Sequence, residues 1–403
     1  MTELIACTAD IGEPVVSSFE GADIGTDPDS GAIVRRLTSG PMMNHLIYCE
    51  QPYTSPDGKR VALIRGRDFT FENDFSLLVA EPDTLSVARV ERSIPRKIAH
   101  NAWSEWLYYM THEGGLRRVS LLTLKRENVL DDGALPLDAW TESVTPGDQC
   151  LICSERPKGQ DPQIVSYDTR SGKRRMLYSH LDDHNGGHLQ IEPVRGKLIL
   201  LQLLTGTRRQ PDGGAGKGTG VSVLMMDIEG GNVKELCIGG KHTAESSGHL
   251  AWIPGTDRVA CAVNWDRAAG KHDARHPQGN LVIAGPEDKA PRIFAAPEHA
   301  FYHVSVSRCG KYFVCDEFMD FQMDVFRRGA FGPARIVVGN FETGKYRVLV
   351  RDCMVHGLAG TSNWEPDPYF TADNRYVIYN ASPFGTNQVH AAKVPPDFLE
   401  SLG

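Results

Sequence analysis

The sequence predicts an all-β fold, a seven-bladed β-propeller, on three observations. Short apolar runs of strand length recur along the chain, with polar turns between them. The repeating unit returns every 45 to 64 residues, which is the spacing of four-stranded propeller blades. Helical periodicity is almost absent, while 40 glycines and 24 prolines supply the turns that many short strands need.

Each unit follows one plan of strand, polar turn and strand, with Ser55-Pro56-Asp57-Gly58-Lys59 as the first such turn. Second strands are predicted at 61–64, 106–110, 151–154, 198–203, 259–263, 313–316 and 377–380. Third strands are predicted at 75–81, 118–124, 163–168, 221–227, 280–284, 334–340 and 388–394. Ahead of the units, we expect an edge strand or cap within 1–29 and an isolated strand at 33–38.

The repeats are expected to form one domain over residues 1–403, because a repeat architecture holds this length as one body. An N-terminal strand or cap segment, 1–45, precedes the blades. The blade boundaries are predicted near 46–95, 96–140, 141–183, 184–244, 245–298, 299–358 and 359–398.

Composition and charge argue against several classes of protein. The net charge of −8, with acidic and basic residues interspersed, disfavours a nucleic-acid partner. The first residues lack a secretory signal, and no stretch approaches the ~20 apolar residues of a membrane span. The nine cysteines are scattered, with one CxxC at Cys150 and Cys153. We therefore expect reduced, buried thiols in a cytoplasmic protein without membrane association, and leave the oligomeric state open.

Three histidines occupy one position in three consecutive units. Gly248-His249-Leu250-Ala251-Trp252 has a near copy at Gly187-His188-Leu189-Gln190-Ile191 and a looser one at Tyr302-His303-Val304. Each histidine stands ten residues before the second strand of its unit. The equivalent positions around the ring are Gln51, Arg96, Thr141, His188, His249, His303 and Asp367. Period-two alternation is expected to turn all seven side chains in one direction, into the central channel.

These positions predict a metal-binding cavity. His188, His249, His303 and Asp367 come from four consecutive blades, and Glu365 lies two residues before Asp367. Imidazole with carboxylate suits Mn²⁺, Zn²⁺ or Fe²⁺ and leaves coordination positions for substrate oxygens. The alternative is that the channel histidines contact only buried water and carbonyl groups.

The order of elements resembles that of the oligogalacturonate lyases, a polysaccharide lyase family built as a seven-bladed propeller with a divalent metal. The residues that carry the resemblance are Arg36-Leu37-Thr38, Ser55-Pro56-Asp57-Gly58-Lys59, Ser247-Gly248-His249-Leu250-Ala251-Trp252, Tyr302-His303-Val304, Pro366-Asp367-Pro368-Tyr369-Phe370-Thr371-Ala372-Asp373 and Thr386-Asn387-Gln388-Val389. The repeat motifs occur in many propellers, whereas the contexts of His249 and His303 are more specific.

The resemblance implies that His303 is a metal ligand, with Mn²⁺ as the first choice of ion, and that His249 is the catalytic base. The family's last blade carries two further metal histidines in a His-Pro-His-Pro motif, with a glutamine three residues ahead. Here that motif reads Glu365-Pro366-Asp367-Pro368, and Ser362 stands in place of the glutamine. The acidic pair keeps two metal-binding side chains and makes the site harder and more anionic. We predict Glu365, Asp367 and His188 as further metal ligands.

The family's catalytic arginine has no match here, because the third strand of blade four begins Gly220-Val221-Ser222. Candidates for its role, the neutralisation of an enediolate, are Arg96, Lys217, Arg208 and Arg275, of which only Arg96 shares the channel register. Arg96 and Lys217 are predicted as the catalytic cations. The substrate is predicted to contact three further residues, namely Gln51, Arg208 and Arg275. Lys217, Arg208 and Arg275 stand in long loops at 205–220 and 266–279, and a third long loop covers 317–333.

The predicted function is β-elimination in short uronate-containing oligosaccharides, as in pectin degradation. A metal on the uronate carboxylate lowers the barrier to removal of the C5 proton, a neutral imidazole takes that proton, and the C4 oxygen leaves. One alternative keeps the metal and the base but acts on another acidic or keto sugar, by elimination or epimerisation. Another is a non-catalytic propeller that binds a protein partner.

Overall fold

Antiparallel strands account for nearly all regular structure in the computed structural model. It describes residues 15–67, 74–158, 162–179, 184–205, 220–239, 242–243, 245–264, 277–319, 331–356, 365–383 and 385–403. The long loops predicted at 205–220, 266–279 and 317–333 therefore lie mostly outside the described residues.

The elements of the first half of the chain are β1 (Val16–Phe19), β2 (Ala22–Thr26), β3 (Ile33–Arg36), β4 (Asn44–Leu46), β5 (Val61–Gly66), β6 (Phe75–Glu81), β7 (Ser86–Ile94), β8 (Ile98–His100), β9 (Trp106–Met110), β10 (Leu116–Ser120), β11 (Arg126–Leu130), β12 (Trp140–Val144), β13 (Cys150–Glu155), β14 (Gln163–Asp168) and β15 (Arg174–Ser179). Those of the second half are β16 (His184–Ile191), β17 (Leu198–Thr205), β18 (Gly220–Asp227), β19 (Lys234–Glu235), β20 (Glu245–Trp252), β21 (Val259–Asn264), β22 (Leu281–Ala284), β23 (Arg292–Phe294), β24 (Phe301–Val306), β25 (Tyr312–Phe318), β26 (Phe331–Asn340), β27 (Tyr346–His356), β28 (Tyr369–Phe370), β29 (Tyr376–Ala381), β30 (Gln388–Lys393) and α1 (Pro396–Glu400).

The described strands form six sheets of an all-β propeller. Their hydrogen-bonded orders are β1-β7-β6-β5-β4, β11-β10-β9-β8-β12-β13-β14-β15, β16-β17-β18-β19, β20-β21-β22-β23, β24-β25-β26-β27 and β2-β3-β30-β29-β28. The propeller fold is confirmed, but the hydrogen bonds do not define seven separate sheets. A parallel pairing of Ser143 in β12 with His100 in β8 joins two four-stranded meanders into the eight-stranded sheet.

The last sheet contains strands from both ends of the chain. β3 pairs antiparallel with β30, from Ile33 opposite Lys393 to Arg36 opposite His390. The Leu37 N–H continues this ladder by donating to the Val389 carbonyl at 2.8 Å. The prediction of an isolated strand at 33–38 is therefore wrong, because its partner lies at the far end of the chain, beyond the reach of a local pattern.

Apolar side chains pack between neighbouring four-stranded units. Between the first and last sheets, Leu46 and Val61 share a buried cluster with Tyr369 and Tyr376. A similar cluster lies between the two halves of the eight-stranded sheet, where Tyr108 is buried with Leu151 and Cys153. The described residues contain seven such clusters, so packing continues from each unit to the next around the whole ring.

Most predicted second and third strands are confirmed within one or two residues, since their alternating or continuous apolar pattern reflects burial on one or both faces. The third strand at 118–124 is shifted, because β10 ends at Ser120 and a turn follows. Leu124 adopts a left-handed φ of 63° in that turn. The apolar residues Leu121 and Leu122 continue the strand-like pattern past Ser120, so the predicted strand is too long at its C-terminal end.

All eight cysteines in the described residues have free thiols, and six of them are buried. Cys309 is exposed, so the prediction of buried thiols fails at that position. Within the described part of the chain, no helix has the length and apolarity needed to cross a membrane.

Candidate metal and catalytic site

Three β-bulges place the three predicted histidines. In β16, β20 and β24, the pairing with the second strand of the unit breaks between Gly187 and Gln190, between Ser246 and Leu250, and between Phe301 and Val304. His188, His249 and His303 lie within these breaks. A bulge leaves a residue out of the ladder and turns its side chain in a new direction. Bulges rather than simple strand alternation therefore bring the imidazoles together.

Backbone geometry at the bulges is unusual. His188 has a φ of 57° and Asp367 a φ of 49°, both in the left-handed region that non-glycine residues rarely adopt. Gly248, directly before His249, has a φ of 93°. For the two non-glycine residues, such a conformation costs on the order of 1–3 kcal/mol, and strained residues of this kind concentrate at functional sites, where surrounding contacts hold them.

His303 is the centre of an acidic cluster and is fully buried. Its Nδ1 lies 2.7 Å from Asp316 Oδ2, and its backbone N–H donates to Asp316 Oδ1 at 2.7 Å. Asp316 thereby fixes the ring and leaves Nε2 as the atom that faces the cluster. Burial lowers the pKa of His303, but Asp316, Asp367 and Glu365 outweigh it and raise that pKa well above its usual range.

The donor set fits a divalent metal ion. His303 Nε2 lies 3.2 Å from Glu365 Oε2 and 3.2 Å from Asp367 Oδ1. Although buried, this nitrogen has no hydrogen-bond partner among the described residues. Metal bonds of about 2.1 Å at right angles place adjacent donor atoms about 3 Å apart, close to this spacing. One imidazole with two carboxylates is a ligand set that suits Mn²⁺ or Fe²⁺.

The acidic pair is anchored from neighbouring elements. Asn380 Nδ2 donates to the Glu365 carbonyl at 3.1 Å and to Asp367 Oδ2 at 3.5 Å. The backbone N–H of Asp367 donates to Asp316 Oδ2 at 3.3 Å. Burial raises the pKa of Asp367 to about 7, because the lowering effect of His303 is opposed by Glu365 and Asp316. A cation among these carboxylates would relieve their repulsion.

A second set of donors overlaps the first at His303. The ligand atoms of Cys49, His249 and His303 also lie within 4.8 Å of one another. Cys49 Sγ is 3.7 Å from His249 Nδ1, and burial raises the pKa of this thiol well above its usual range. A protonated thiol is a poor ligand for a hard ion, so the carboxylate set is the better candidate.

His249 is a neutral imidazole beside this cluster. The centroids of the His249 and His303 rings are 4.1 Å apart, and the His249 Nδ1 is 3.2 Å from the Tyr48 hydroxyl. Burial, followed by the positive charges of His303 and His188, lowers the pKa of His249 well below its usual range. An imidazole that stays unprotonated at neutral pH can accept a proton from a substrate.

His188 has the opposite charge state and lies outside the His303 cluster. Its Nδ1 is 2.9 Å from Glu50 Oε1 and 3.2 Å from the Tyr48 hydroxyl. Burial lowers the pKa of His188, but the charge and hydrogen bond of Glu50 raise it to about 9. With its Nδ1 held by Glu50 and Tyr48, His188 is not part of the donor set around His303 in the described residues.

A cavity of about 600 Å³ opens beside Tyr48 and His188. Its lining includes the predicted residues Gln51 and Arg96 together with Trp140 and Arg156. Gln51 is oriented by a 3.1 Å bond from its Nε2 to the Glu142 carbonyl, and Arg96 by a 3.3 Å bond to the Ile47 carbonyl. The volume lies within the range of small-molecule sites.

The structure thus brings His249, His303, Glu365 and Asp367 together and connects His188 to them through Tyr48. Gln51 and Arg96 line the adjoining cavity. The other predicted basic residues, Lys217, Arg208 and Arg275, lie outside the described residues.

The sequence patterns do not predict several residues of the site. Tyr48 and Glu50 come from the segment between β4 and the first turn, three and one residues before the predicted position Gln51. The sequence does contain a signal for Asp316, because this carboxylate lies in an otherwise apolar second strand, Phe313-Val314-Cys315-Asp316. In β12, the residue inside the register break is Glu142 rather than Thr141, which pairs with Cys153.

Comparisons with known proteins agree with this architecture. No model of a protein family matches the sequence, and no curated protein matches it. Among solved structures, an oligogalacturonate lyase in complex with manganese is similar at a TM-score of 0.65 and 16% identity, covering 97% of this chain and 100% of that one. An oligogalacturonate lyase from Vibrio parahaemolyticus has the same score and identity and covers 96% and 99%.

A structure of another kind of enzyme is also similar. A prolyl endopeptidase structure has a TM-score of 0.50 at 12% identity and covers 87% of this chain but 51% of its own. The similarity to the two lyases extends over nearly the full length of this chain and of each lyase. The similarity to the endopeptidase extends over only about half of the endopeptidase chain. The structural resemblance to the oligogalacturonate lyases is therefore confirmed at the level of the whole fold: this chain is a β-propeller of the same overall architecture.

Proposed function

We propose that this protein is a metal-dependent carbohydrate lyase that cleaves short uronate-containing oligosaccharides by β-elimination. The observation that carries the proposal is the placement of a neutral imidazole, His249, directly against the His303–Glu365–Asp367 cluster. Base and metal ligands therefore meet in one site, as removal of a proton beside a metal-bound carboxylate requires. The full-length similarity to oligogalacturonate lyases supports the same chemistry.

Each group has a distinct role in the proposed reaction. His303, Glu365 and Asp367 would hold the ion, with Mn²⁺ as the first candidate. When bound, the ion supplies positive charge beside the uronate carboxylate and so acidifies the hydrogen on C5. His249 accepts that hydrogen as a proton. Arg96, half-buried at the cavity wall, offers a cation to the charge that develops on the carboxylate.

The adjoining cavity is proposed to bind the substrate. Arg96 and Arg156 offer guanidinium groups to sugar carboxylates, and neither forms an ion pair within the part of the chain that the structure describes. Trp140, which is 47% exposed, offers an aromatic face to a sugar ring. Gln51 offers an amide to the sugar hydroxyls. This combination favours an acidic oligosaccharide or sugar acid over a neutral sugar.

The second candidate is elimination or epimerisation of another acidic or keto sugar. It is favoured by Glu365 and Asp367, which make the metal site more anionic than one built from histidines. Product analysis separates epimerisation from elimination, since epimerisation forms no carbon–carbon double bond. Elimination from another sugar is distinguished by which substrate the protein consumes.

We also propose that the molecule is a single domain of seven blades. The eight-stranded sheet divides at its parallel pair into two four-stranded units, and seven hydrophobic clusters link consecutive units around the ring. Cutting the sheet at that pair gives blades near the predicted boundaries.

The experiment is incubation of the purified protein with oligogalacturonides and Mn²⁺, followed by the ultraviolet absorbance of the 4,5-unsaturated product. We expect product with Mn²⁺ and none after chelation. The same substrates reduced at their carboxyl groups, which lack the acidic function, serve as the control and should give no product. An unchanged absorbance under every condition, with Mn²⁺ bound to the protein, would contradict the lyase proposal.

A further inference from the structure

The hydroxyl group of Tyr48 lies between two imidazoles of different charge. Its oxygen is 3.2 Å from His188 Nδ1 and 3.2 Å from His249 Nδ1. The Tyr48 side chain is half-buried and lines the cavity of about 600 Å³. Tyr48 therefore contacts the proposed base through its hydroxyl and lines the space proposed for the substrate.

The hydrogen-bond partners determine where the Tyr48 hydrogen points. His188 Nδ1 directs its single hydrogen to Glu50, so this nitrogen has no lone pair that could accept the Tyr48 hydrogen. His249 must keep its Nε2 lone pair to act as a base, so its Nδ1 also carries hydrogen and donates to the Tyr48 oxygen. Since neither Nδ1 accepts it, the Tyr48 hydrogen is left for a group in the adjoining cavity, which Tyr48 lines.

We propose that Tyr48 is the general acid that protonates the leaving C4 oxygen; this rests on the lyase proposed above. In the step, the C5–H bond breaks and its proton passes to His249 Nε2. The electron pair of that bond forms the C4–C5 double bond as the C4–O bond breaks. The leaving oxygen takes the hydrogen of the Tyr48 hydroxyl.

The same contacts return the proton to Tyr48. After the step, His249 carries hydrogen on both nitrogens and lies 3.2 Å from the Tyr48 phenolate. Transfer of the Nδ1 hydrogen restores the phenol and leaves a neutral imidazole with hydrogen on Nε2. Loss of this proton to water and uptake of another at Nδ1 restore the starting tautomer before the next turnover. His188 and Glu50 act as positioning residues, since the imidazolium stabilises the transient phenolate. In the resting state, burial and nearby carboxylates raise the pKa of Tyr48, which keeps its hydroxyl protonated.

Leaving-group dependence tests this role. Tyr48→Phe and wild type are compared, with Mn²⁺, on digalacturonate and on a galacturonate that carries 4-nitrophenoxide at C4. A sugar alkoxide needs a proton to leave, whereas nitrophenoxide leaves as a stable anion. Removal of a general acid should lower kcat on digalacturonate by about 10²–10³-fold. We expect the rate on the nitrophenyl substrate to stay within about threefold of wild type, because no proton is needed there.

Tyr109→Phe is the matched control. Its hydroxyl is also buried and donates to Glu91 Oε2 at 3.2 Å, away from the site. This variant should keep wild-type rates on both substrates. An equal loss on both substrates in Tyr48→Phe would mean a structural role, and no loss on either would mean no role; each overturns the proposal. A wild-type protein inactive on both substrates instead overturns the lyase function, and this inference with it.

Discussion

Three histidines at equivalent positions in consecutive units differ in their protonation because their neighbours differ. Asp316, Glu365 and Asp367 surround His303, and Glu50 contacts His188. His249 instead lies between these two rings, and burial is the largest cause of its lowered pKa. Environment rather than residue type therefore separates a metal ligand, a charged positioning group and a neutral base.

Replacement of His249 should separate catalysis from metal binding. In His249→Ala, we expect kcat for unsaturated product to fall by about 10³-fold, as loss of a general base does. Mn²⁺ affinity measured by calorimetry should change little, because the three proposed ligands remain. His242→Ala, which removes an exposed histidine, is the control and should behave as wild type. Retained turnover in His249→Ala would exclude it as the base.

A buried histidine far from the cavity should make stability depend on pH. Burial lowers the pKa of His390 from 6.5 to about 4. Between these values the unfolded chain binds a proton that the folded chain does not, so stability falls as the pH drops from 6.5 to 4. For this pKa shift, the free energy of unfolding falls by about 3 kcal/mol between neutral pH and pH 4.

His390→Asn should remove that dependence. Asparagine keeps an amide N–H for the Gln388 carbonyl, which lies 3.1 Å from His390 Nδ1, but it does not titrate. Denaturant unfolding at pH 7 and pH 4 should show the variant gaining about 3 kcal/mol relative to wild type on acidification. A difference between the two proteins that does not vary with pH would contradict this assignment.

At the scale of elements, the sequence predicts the strands well and the site only in part. The ten-residue spacing locates His188, His249 and His303, because each unit repeats the same strand and turn. The bulges that orient these side chains leave no periodic signal. The spacing therefore predicts Thr141 as the channel residue of the third unit, whereas Glu142 lies in the register break. Tyr48 was missed because its partners are 140 and 201 residues away in the chain.

Packing inside one unit can be tested at Gly339 in β26. A Cβ added there would lie 2.3 Å from the Phe313 ring, while φ imposes no barrier. Gly339→Ala should therefore cost about 1–3 kcal/mol of unfolding free energy, as overpacked cores do. Gly231→Ala is the control, since its Cβ would meet only Asp227 at 3.8 Å. Equal stability of the two variants by denaturant unfolding would contradict the packing described for β26.

For the whole molecule, ring closure and site assembly depend on each other. Tyr48 and Glu50 come from the first unit, whereas their partners come from the fourth and fifth units and the acidic pair from the last. The N-terminal strand β3 completes the last unit by pairing with β30, and the cluster around Tyr369 packs the last unit against the first. Loss of closure should therefore disturb the site from a distance.

Val34→Pro tests this coupling. Val34 pairs with Ala392 in β30 and with Gly25 in β2, so proline there disrupts a strand that is paired on both sides. We expect a loss of about 2–4 kcal/mol in unfolding free energy together with weaker Mn²⁺ binding. Ser17→Pro in the exposed edge strand β1 is the matched control and should cost less. Unchanged stability in Val34→Pro would show that closure does not depend on β3.

A calorimetric titration of the metal-free protein with Mn²⁺ is the most direct test of the proposed metal site. We expect one ion per chain in wild type and at least a 100-fold loss of affinity in the Glu365→Gln, Asp367→Asn double variant, with circular dichroism showing that the fold is kept. Absence of Mn²⁺ binding in wild type, or equal affinity in the double variant, would contradict the claim that His303, Glu365 and Asp367 form the metal site.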